Sequence, residues 1–284
     1  MKVSRIVCVS LLGATLAISA ATAQGKKWET VKIATEGAYA PWNFTGPGGK
    51  LEGFEIDLIA ELCPRMKVKC EIVAQDWDGI IPALQAKKYD VIMAGMSVTD
   101  ERKKTIDFAG PYAASPNGFL VAKDSPLAKM PGTGQAFNLS TQAAATEKAI
   151  EAYKPLLKGK TIGVQTSTTH ANFADKYLKD VAEIREYKTT EQHDLDLAAG
   201  RIDAVLADAT ALNGTLRKPE FKDYALVGPS ITGGILGPGV GAGMRKDDVD
   251  LKTMVNDAID AAKADGTIKR LSEKWFKIDV TPIS

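Results

Sequence analysis

One arrangement occurs twice in this chain and constrains its fold more than any bulk property. Lys88-Tyr-Asp-Val-Ile-Met-Ala-Gly95 and Arg201-Ile-Asp-Ala-Val-Leu-Ala-Asp208 share a basic residue, an aspartate two places on, and a short apolar run. Runs this short and uniformly apolar suit strands of a parallel sheet, where both faces are covered and alternation disappears. Each closes a similar series. Residues 31–35 form a β-branched strand candidate, followed by the aromatic loop Glu36 to Phe44 and an amphipathic helix carrying Phe54, Leu58, Ile59 and Leu62. Residues 161–165 form another, followed by the polar loop Thr166-Ser-Thr-Thr-His170 and a helix carrying Phe173 and Tyr177. Strands alternating with helices argue for α/β units. The same order met twice argues for two similar α/β lobes, against a chance likeness between buried strands.

Between and around these units the signals vary. Pro64 is expected to help end the first helix. Residues 68–73 read as a strand, and Asp78 is a cap candidate for a helix carrying Ile80, Ile81 and Leu84. The pattern breaks up over residues 113–123, and residues 125–160 hold a Gly/Pro patch followed by an Ala-rich helical stretch at about 141–157. From Gly228 the chain is rich in glycine without the spacing of a dinucleotide or phosphate loop, and reads as a crossing followed by a glycine-spaced strand. Two helical stretches close the chain.

A length of 284 residues fits two modest domains, and 45% hydrophobic with 25% charged residues is ordinary for a globular protein. Lys2 and Arg5 precede an apolar run, and Ala21-Thr22-Ala23 is a small-x-small cleavage site, so residues 1–23 are expected to be a secretory signal peptide. Removing Lys2 and Arg5 from the 36 basic residues leaves 34 against 35 acidic ones, and nothing in that balance suggests a nucleic-acid partner. Cys63 and Cys70 remain, and an exported chain with one close pair most simply forms one disulfide.

The first repeated strand leads into Ser97-Val-Thr-Asp-Glu-Arg102. Thr99 and Asp100 are N-cap candidates, so a strand end opens onto a helix start with unpaired N–H groups and a positive dipole end. Ser97 adds a hydroxyl, and Arg102 a planar fork of donors suited to a carboxylate. This turn is expected to hold a ligand carboxylate. By itself the stretch leaves open an ordinary turn with a solvated arginine.

With these residues assembled, the chain beyond the signal peptide resembles the periplasmic solute-binding proteins of polar amino-acid uptake systems. The resemblance rests on Ile33-Ala-Thr-Glu-Gly-Ala-Tyr-Ala-Pro-Trp42, Gly53-Phe-Glu-Ile-Asp-Leu58, Leu62-Cys63 with Cys70, Trp77-Asp-Gly-Ile-Ile-Pro82, Ser97 to Arg102, Gly200-Arg-Ile-Asp203 and Asp265-Gly-Thr267. Within that family the chain looks most like binders of basic amino acids and of octopine-type opines. The opine cues are Glu36, Trp77, Asn117, the loop Gln165 to His170 and the long segment 125–160.

The resemblance implies an α/β fold of the type II periplasmic binding protein kind. Residues 25–114 with 232–284 would form one lobe and residues 115–231 the other, joined by two crossover hinge strands and closing on the ligand. It also implies roles. Arg102 and Ser97, with backbone N–H groups at Thr168 and Thr169, would hold the α-carboxylate, and Asp208 the α-ammonium. Tyr39 and Trp77 would sandwich the side chain, whose distal cation Glu36 would pair. Ala94 and Gly95 stand where typical basic amino-acid binders carry two serines, which leaves room for a bulkier substituent. Asn117, Gln165 or His170 would serve the second carboxylate of an opine. Each role has a plainer alternative: Trp77 as packing, Glu36 as a solvated acid, Asp208 as a helix cap, His170 as a surface residue.

The implied function is a non-enzymatic, monomeric, periplasmic protein that delivers a basic amino acid or guanidinium-bearing opine to an inner-membrane ABC permease, with no cofactor or metal. Alternatives are a soluble sensor for a membrane receptor and a cyclohexadienyl dehydratase-like enzyme. The enzyme needs a carboxyl acid of raised pKa, whereas a cation beside Glu36 lowers it.

Overall fold

A computed structural model of the protein describes residues 27–114 and 116–282, so the signal-peptide expectation for residues 1–23 lies outside the described residues. The chain starts with β1 (Thr30–Thr35), β2 (Ala38–Tyr39), β3 (Asn43–Thr45), β4 (Leu51–Glu52), α1 (Phe54–Met66), β5 (Lys69–Ala74), α2 (Ile80–Gln85), β6 (Val91–Ile92), α3 (Asp100–Thr105) and β7 (Asp107–Ala113). It continues with β8 (Asn117–Ala122), β9 (Ala136–Asn138), α4 (Ala143–Leu157), β10 (Thr161–Gln165), α5 (Thr169–Tyr177), β11 (Glu183–Tyr187), α6 (Thr190–Ala198), β12 (Ala204–Asp208), α7 (Ala209–Thr215) and β13 (Tyr224–Thr232). It ends with β14 (Val240–Met244), α8 (Val249–Ala264) and α9 (Thr267–Trp275).

These strands make two main sheets, ordered β5-β1-β6-β14-β7 and β11-β10-β12-β8-β13-β9, and a small antiparallel β2-β3-β4 sheet. The chain changes sheet between β7 and β8 and changes back between β13 and β14. Both main sheets begin with the same parallel trio, in which the first strand of a β-α-β-α-β unit lies between the second and third. Each sheet has its own core, one built on Val31, Ile33, Phe54 and Leu58 and the other on Val121, Ile162, Val164 and Phe173.

The repeated aspartate has the same task in both units. Asp90 Oδ2 accepts from the backbone N–H of Lys32 in β1 at 3.1 Å, and Asp203 Oδ2 accepts from that of Thr161 in β10 at 2.9 Å. Their own backbone N–H groups return the bond to the same residues at 2.8 and 2.9 Å. A basic side chain neutralises each remaining oxygen, Arg245 at 2.8 Å on Asp90 and Lys160 at 2.9 Å on Asp203. The motif therefore staples the third strand of each unit to the first, at the end opposite the loops.

Several boundaries differ from expectation. Helix α1 runs through Pro64 and stops instead at Lys67, whose left-handed backbone (φ 56°) returns its N–H to the carbonyls of Cys63 and Pro64. Asp78 caps nothing: it lies in a 3-10 turn over Trp77–Gly79, and α2 starts from Gly79 without a side-chain cap. The stretch that looked irregular, residues 113–123, holds the last residue of β7 and all of β8, whose partners β12 and β13 lie more than 80 residues away in sequence. The expected disulfide joins Cys63 to Cys70, Cα atoms 6.0 Å apart, across the connection from α1 to β5.

Candidate ligand site between the sheets

Parallel strands present their carboxyl ends, and the loops leaving them, on one side of a sheet, which is where open α/β sheets bind ligands. Here the two sheets turn those ends toward each other. Glu36 follows β1, Trp77 follows β5, Ala94 and Gly95 follow β6, Gln165 ends β10, and Asp208 ends β12. Between them lies a space of about 410 Å³, open solvent at its mouth included, lined by Glu36, Tyr39, Trp77, Ala94, Gly95, Ser97, Arg102, Gln165, Thr168, Thr169 and His170. An adjoining space shares Tyr39, Gly95, Ser97 and His170 and adds Asn117 and Asp208. Every residue singled out from the sequence for the ligand thus lines one of two contiguous spaces.

One end is built for negative charge. Thr99 caps α3 by accepting the N–H of Arg102 at 3.2 Å, which fixes where the arginine side chain starts. The guanidinium donates from one nitrogen to the Ser97 carbonyl at 2.9 Å and from the other across the gap to the Ser167 carbonyl at 3.3 Å. It lies over the Trp77 indole, 5.2 Å from the ring centroid. Burial lowers its pKa to about 10, which leaves it charged at neutral pH. Facing it is the start of α5, where Thr168 accepts the N–H of Ala171 at 3.2 Å and donates to the Gln165 carbonyl at 2.6 Å. That cap leaves the first-turn N–H groups of Thr169 and His170 outside the intrahelical ladder.

The other end is acidic. Glu36 is only 8% exposed, so it is not a solvated loop acid. Burial raises its pKa to about 7, against the opposing hydrogen bond from Gln165 and with further help from Glu55, Asp76 and Asp78. Its partner in this structure is thus an amide, not a cation. The Gln165 amide donates to Glu36 Oε1 at 2.7 Å and to the Lys188 carbonyl at 3.1 Å. Trp77 Nε1 donates to the Thr166 carbonyl at 3.1 Å. Glu36 reaches from the first sheet to the end of β10, and Arg102 and Trp77 to the loop after it.

Other residues take positions the sequence did not disclose. The room expected over Gly95 is filled by Tyr39: a Cβ there would sit 2.6 Å from Tyr39 Cε1, on a backbone with φ +62°. Tyr39 in turn stacks on Trp42 at 6.4 Å with the planes 7° apart. Asp208 does cap a helix, its Oδ1 accepting the N–H groups of Thr210 at 2.8 Å and Ala211 at 3.3 Å. The Thr210 hydroxyl also donates to Asp208 and accepts from Trp42 Nε1 at 2.8 Å, so this cap is linked to the first sheet. His170 Nε2 meets Asn117 Oδ1 at 2.6 Å while Asn117 Nδ2 donates to the Ile231 carbonyl at 2.9 Å. Burial, helped by the nearby His193 and Arg102, pushes the His170 pKa to about 3, so it brings no positive charge to a second carboxylate.

Sequence reading missed Thr190, His193 and Ala207, which line the first space. Ala207 precedes Asp208 on β12. Thr190 opens α6 behind the capping box of Thr189 and Gln192, a pattern visible in the sequence. Beneath the site, the fully buried Glu55 accepts from Gly95 N at 2.8 Å, Asn43 Nδ2 at 2.6 Å and the Tyr112 hydroxyl. Asn43 Oδ1 accepts from Gly37 N at 2.7 Å. This network ties the loops after β1 and β6 to one carboxyl group.

Residues 31–278 match the family described as bacterial extracellular solute-binding proteins, family 3. The octopine-binding periplasmic protein of Rhizobium meliloti is 50% identical to this chain, over 99% of it and 100% of the relative. The L-arginine-binding protein of Pseudomonas aeruginosa is 37% identical, over 88% of this chain and 89% of the relative. Among solved structures, a periplasmic His/Glu/Gln/Arg/opine family-binding protein from Silicibacter pomeroyi in complex with lysine superposes with a TM-score of 0.71 at 32% identity, covering 88% of this chain and 99% of the other.

Proposed function

Since the chain belongs to the bacterial extracellular solute-binding proteins of family 3, we propose that it is the periplasmic component of an ABC importer that encloses a guanidinium-bearing amino acid or opine. Residues 25–114 with 232–284 act as one lobe and residues 115–231 as the other. Arg102, Ser97 and the start of α5 hold the α-carboxylate, and Asp208 the α-ammonium. Trp77 and Tyr39 flank the side chain, and Glu36 pairs with its cation. The observation that carries this reading is the polarity of the enclosed space, a guanidinium with helix N–H groups at one end and a buried carboxyl group at the other. An amino acid with a cationic tail has the opposite polarity from end to end. The adjoining space beside Asn117 and His170 receives the second carboxylate of an opine, offering it polar groups without a charge.

A ligand that touches both lobes favours closure by its differential affinity, and the closed form is the shape an inner-membrane permease recognises. The protein acts as a carrier, in keeping with relatives that are named as binding proteins, and on this reading it works as a monomer.

Calorimetric titration of the mature chain with arginine, ornithine, lysine, histidine, octopine and nopaline tests the reading. Binding of arginine or octopine, one ligand per chain, is expected, and binding of none of the six would refute it. A carboxyl group half-protonated at neutral pH also suits proton transfer. The recovered ligand is therefore analysed, and chemical change in it would overturn the carrier role.

A further inference from the structure

His193 is a buried, titratable side chain for which the contacts above have no use. Helix α6 buries two polar residues beside Leu197: His193 is 1% and Asp194 5% exposed, while the neighbouring Leu195 is 58% exposed. His193 packs edge-on against Tyr187, centroids 6.1 Å apart, and lines the same space as Glu36, Trp77 and Gln165. Its Nδ1 lies 3.0 Å from Asp194 Oδ1, and the other Asp194 oxygen accepts from the Thr215 hydroxyl at 2.7 Å. An ionised carboxylate only accepts, so Nδ1 carries the proton. In the neutral ring Nε2 is then a bare acceptor, and it has no hydrogen-bond partner among the described residues. A buried acceptor in that condition calls for an explanation.

Its neighbours indicate the missing donor. Gln165 has already given its amide to Glu36 and Lys188, so this end of the space offers acceptors. Thr190, three residues before His193, donates to the Ala38 carbonyl at 3.3 Å and holds α6 against the loop that carries Glu36. Resting on the function proposed above, we propose that His193 Nε2 accepts a hydrogen bond from the ligand's distal guanidinium, and so favours guanidinium over a compact or shorter ammonium. A guanidinium spreads five N–H groups over a plane and can satisfy Glu36 from one lobe and His193 from the other. An ornithine ammonium ends short of that reach. Asp194 is a positioning residue, which holds the tautomer that leaves Nε2 open.

Two variants and one spectrum test the assignment. His193→Asn keeps a donor toward Asp194 but ends short of the Nε2 position, whereas His193→Gln carries a polar group out to it. Titrated with arginine and ornithine, His193→Asn is expected to weaken arginine about tenfold or more and ornithine less than about threefold. His193→Gln should recover most of the arginine affinity. Equal losses for both ligands, or none for arginine, would overturn the proposal. The imidazole nitrogen-15 spectrum of the wild type needs no variant to fold. Nε2 should resonate as an unprotonated nitrogen in the free protein and move toward the protonated range with arginine but not with ornithine. An Nε2 signal indifferent to arginine would overturn the proposal as well. Binding of none of the six ligands by the wild type removes the function reading itself, whereas wild-type arginine binding with an unaffected His193→Asn removes only this assignment.

Discussion

Binding of a guanidinium ligand should expel a proton from Glu36. In the ligand-free protein burial holds this carboxyl near pKa 7, above its ordinary 4.5. The guanidinium stays charged across the working range and pairs with the ionised form only, so the bound pKa must lie below the free one. The sign follows: affinity rises with pH, steeply below about pH 7, and levels off above. With a free pKa of about 7, the ionised fraction is roughly 0.1 at pH 6 and 0.9 at pH 8. Affinity should therefore change about tenfold over that interval, or about 1.4 kcal/mol. At pH 7 about half a proton should leave per ligand bound. Calorimetry in buffers of different ionisation enthalpy counts that proton, and Glu36→Gln, which cannot ionise, should show neither the slope nor the release. The same raised pKa works against folding: the folded state holds a proton that the unfolded chain loses above pH 4.5, so stability falls as pH rises toward 7. Glu36→Gln should recover up to about 3 kcal/mol of ligand-free stability at pH 8. A flat affinity in the wild type, or a slope that survives in Glu36→Gln, would refute the reasoning.

Three further outcomes follow from the geometry. Arg102→Ala should lower affinity by two decades or more, since removing one partner of a buried pair costs about 3–5 kcal/mol; unchanged calorimetric affinity would refute the carboxylate clamp. Gly95→Ala places a methyl group 2.6 Å from Tyr39 Cε1 on a left-handed backbone, so Tyr39 must swing away; its intrinsic fluorescence should change and binding weaken. Thr210→Val removes the acceptor that Trp42 reaches and one of the bonds held by Asp208. The loss of about 1 kcal/mol should appear as a several-fold faster ligand release in stopped-flow traces.

What could be read in the sequence was whatever repeats or contacts locally. The Asp90 and Asp203 staples show as a doubled motif because each joins strands of one unit, and the Thr99 cap shows because a cap lies within four residues of its partner. Strands β7 and β8 were hidden: Gly110, Pro111 and Pro116 interrupt their pattern, and distant β14 and β13 supply the pairing. Gly95 looked like spare room because nothing local says that Tyr39 fills it. Helix α6 inverts the simple rule at two positions: Leu195 is a residue that a hydrophobic count would bury and His193 one that it would expose, and the fold does the reverse. That inversion has a physical origin. The N-terminal half of α6 packs where the second sheet meets the loop after β1, and a wall facing a charged ligand gains from hydrogen-bonding groups what a core gains from methyl groups. Glu36 and Gln165 are 129 residues apart, so their pairing becomes visible only once two separately folded sheets face each other. The site belongs to that encounter, and its chemistry could be named from the residue types while its geometry could not.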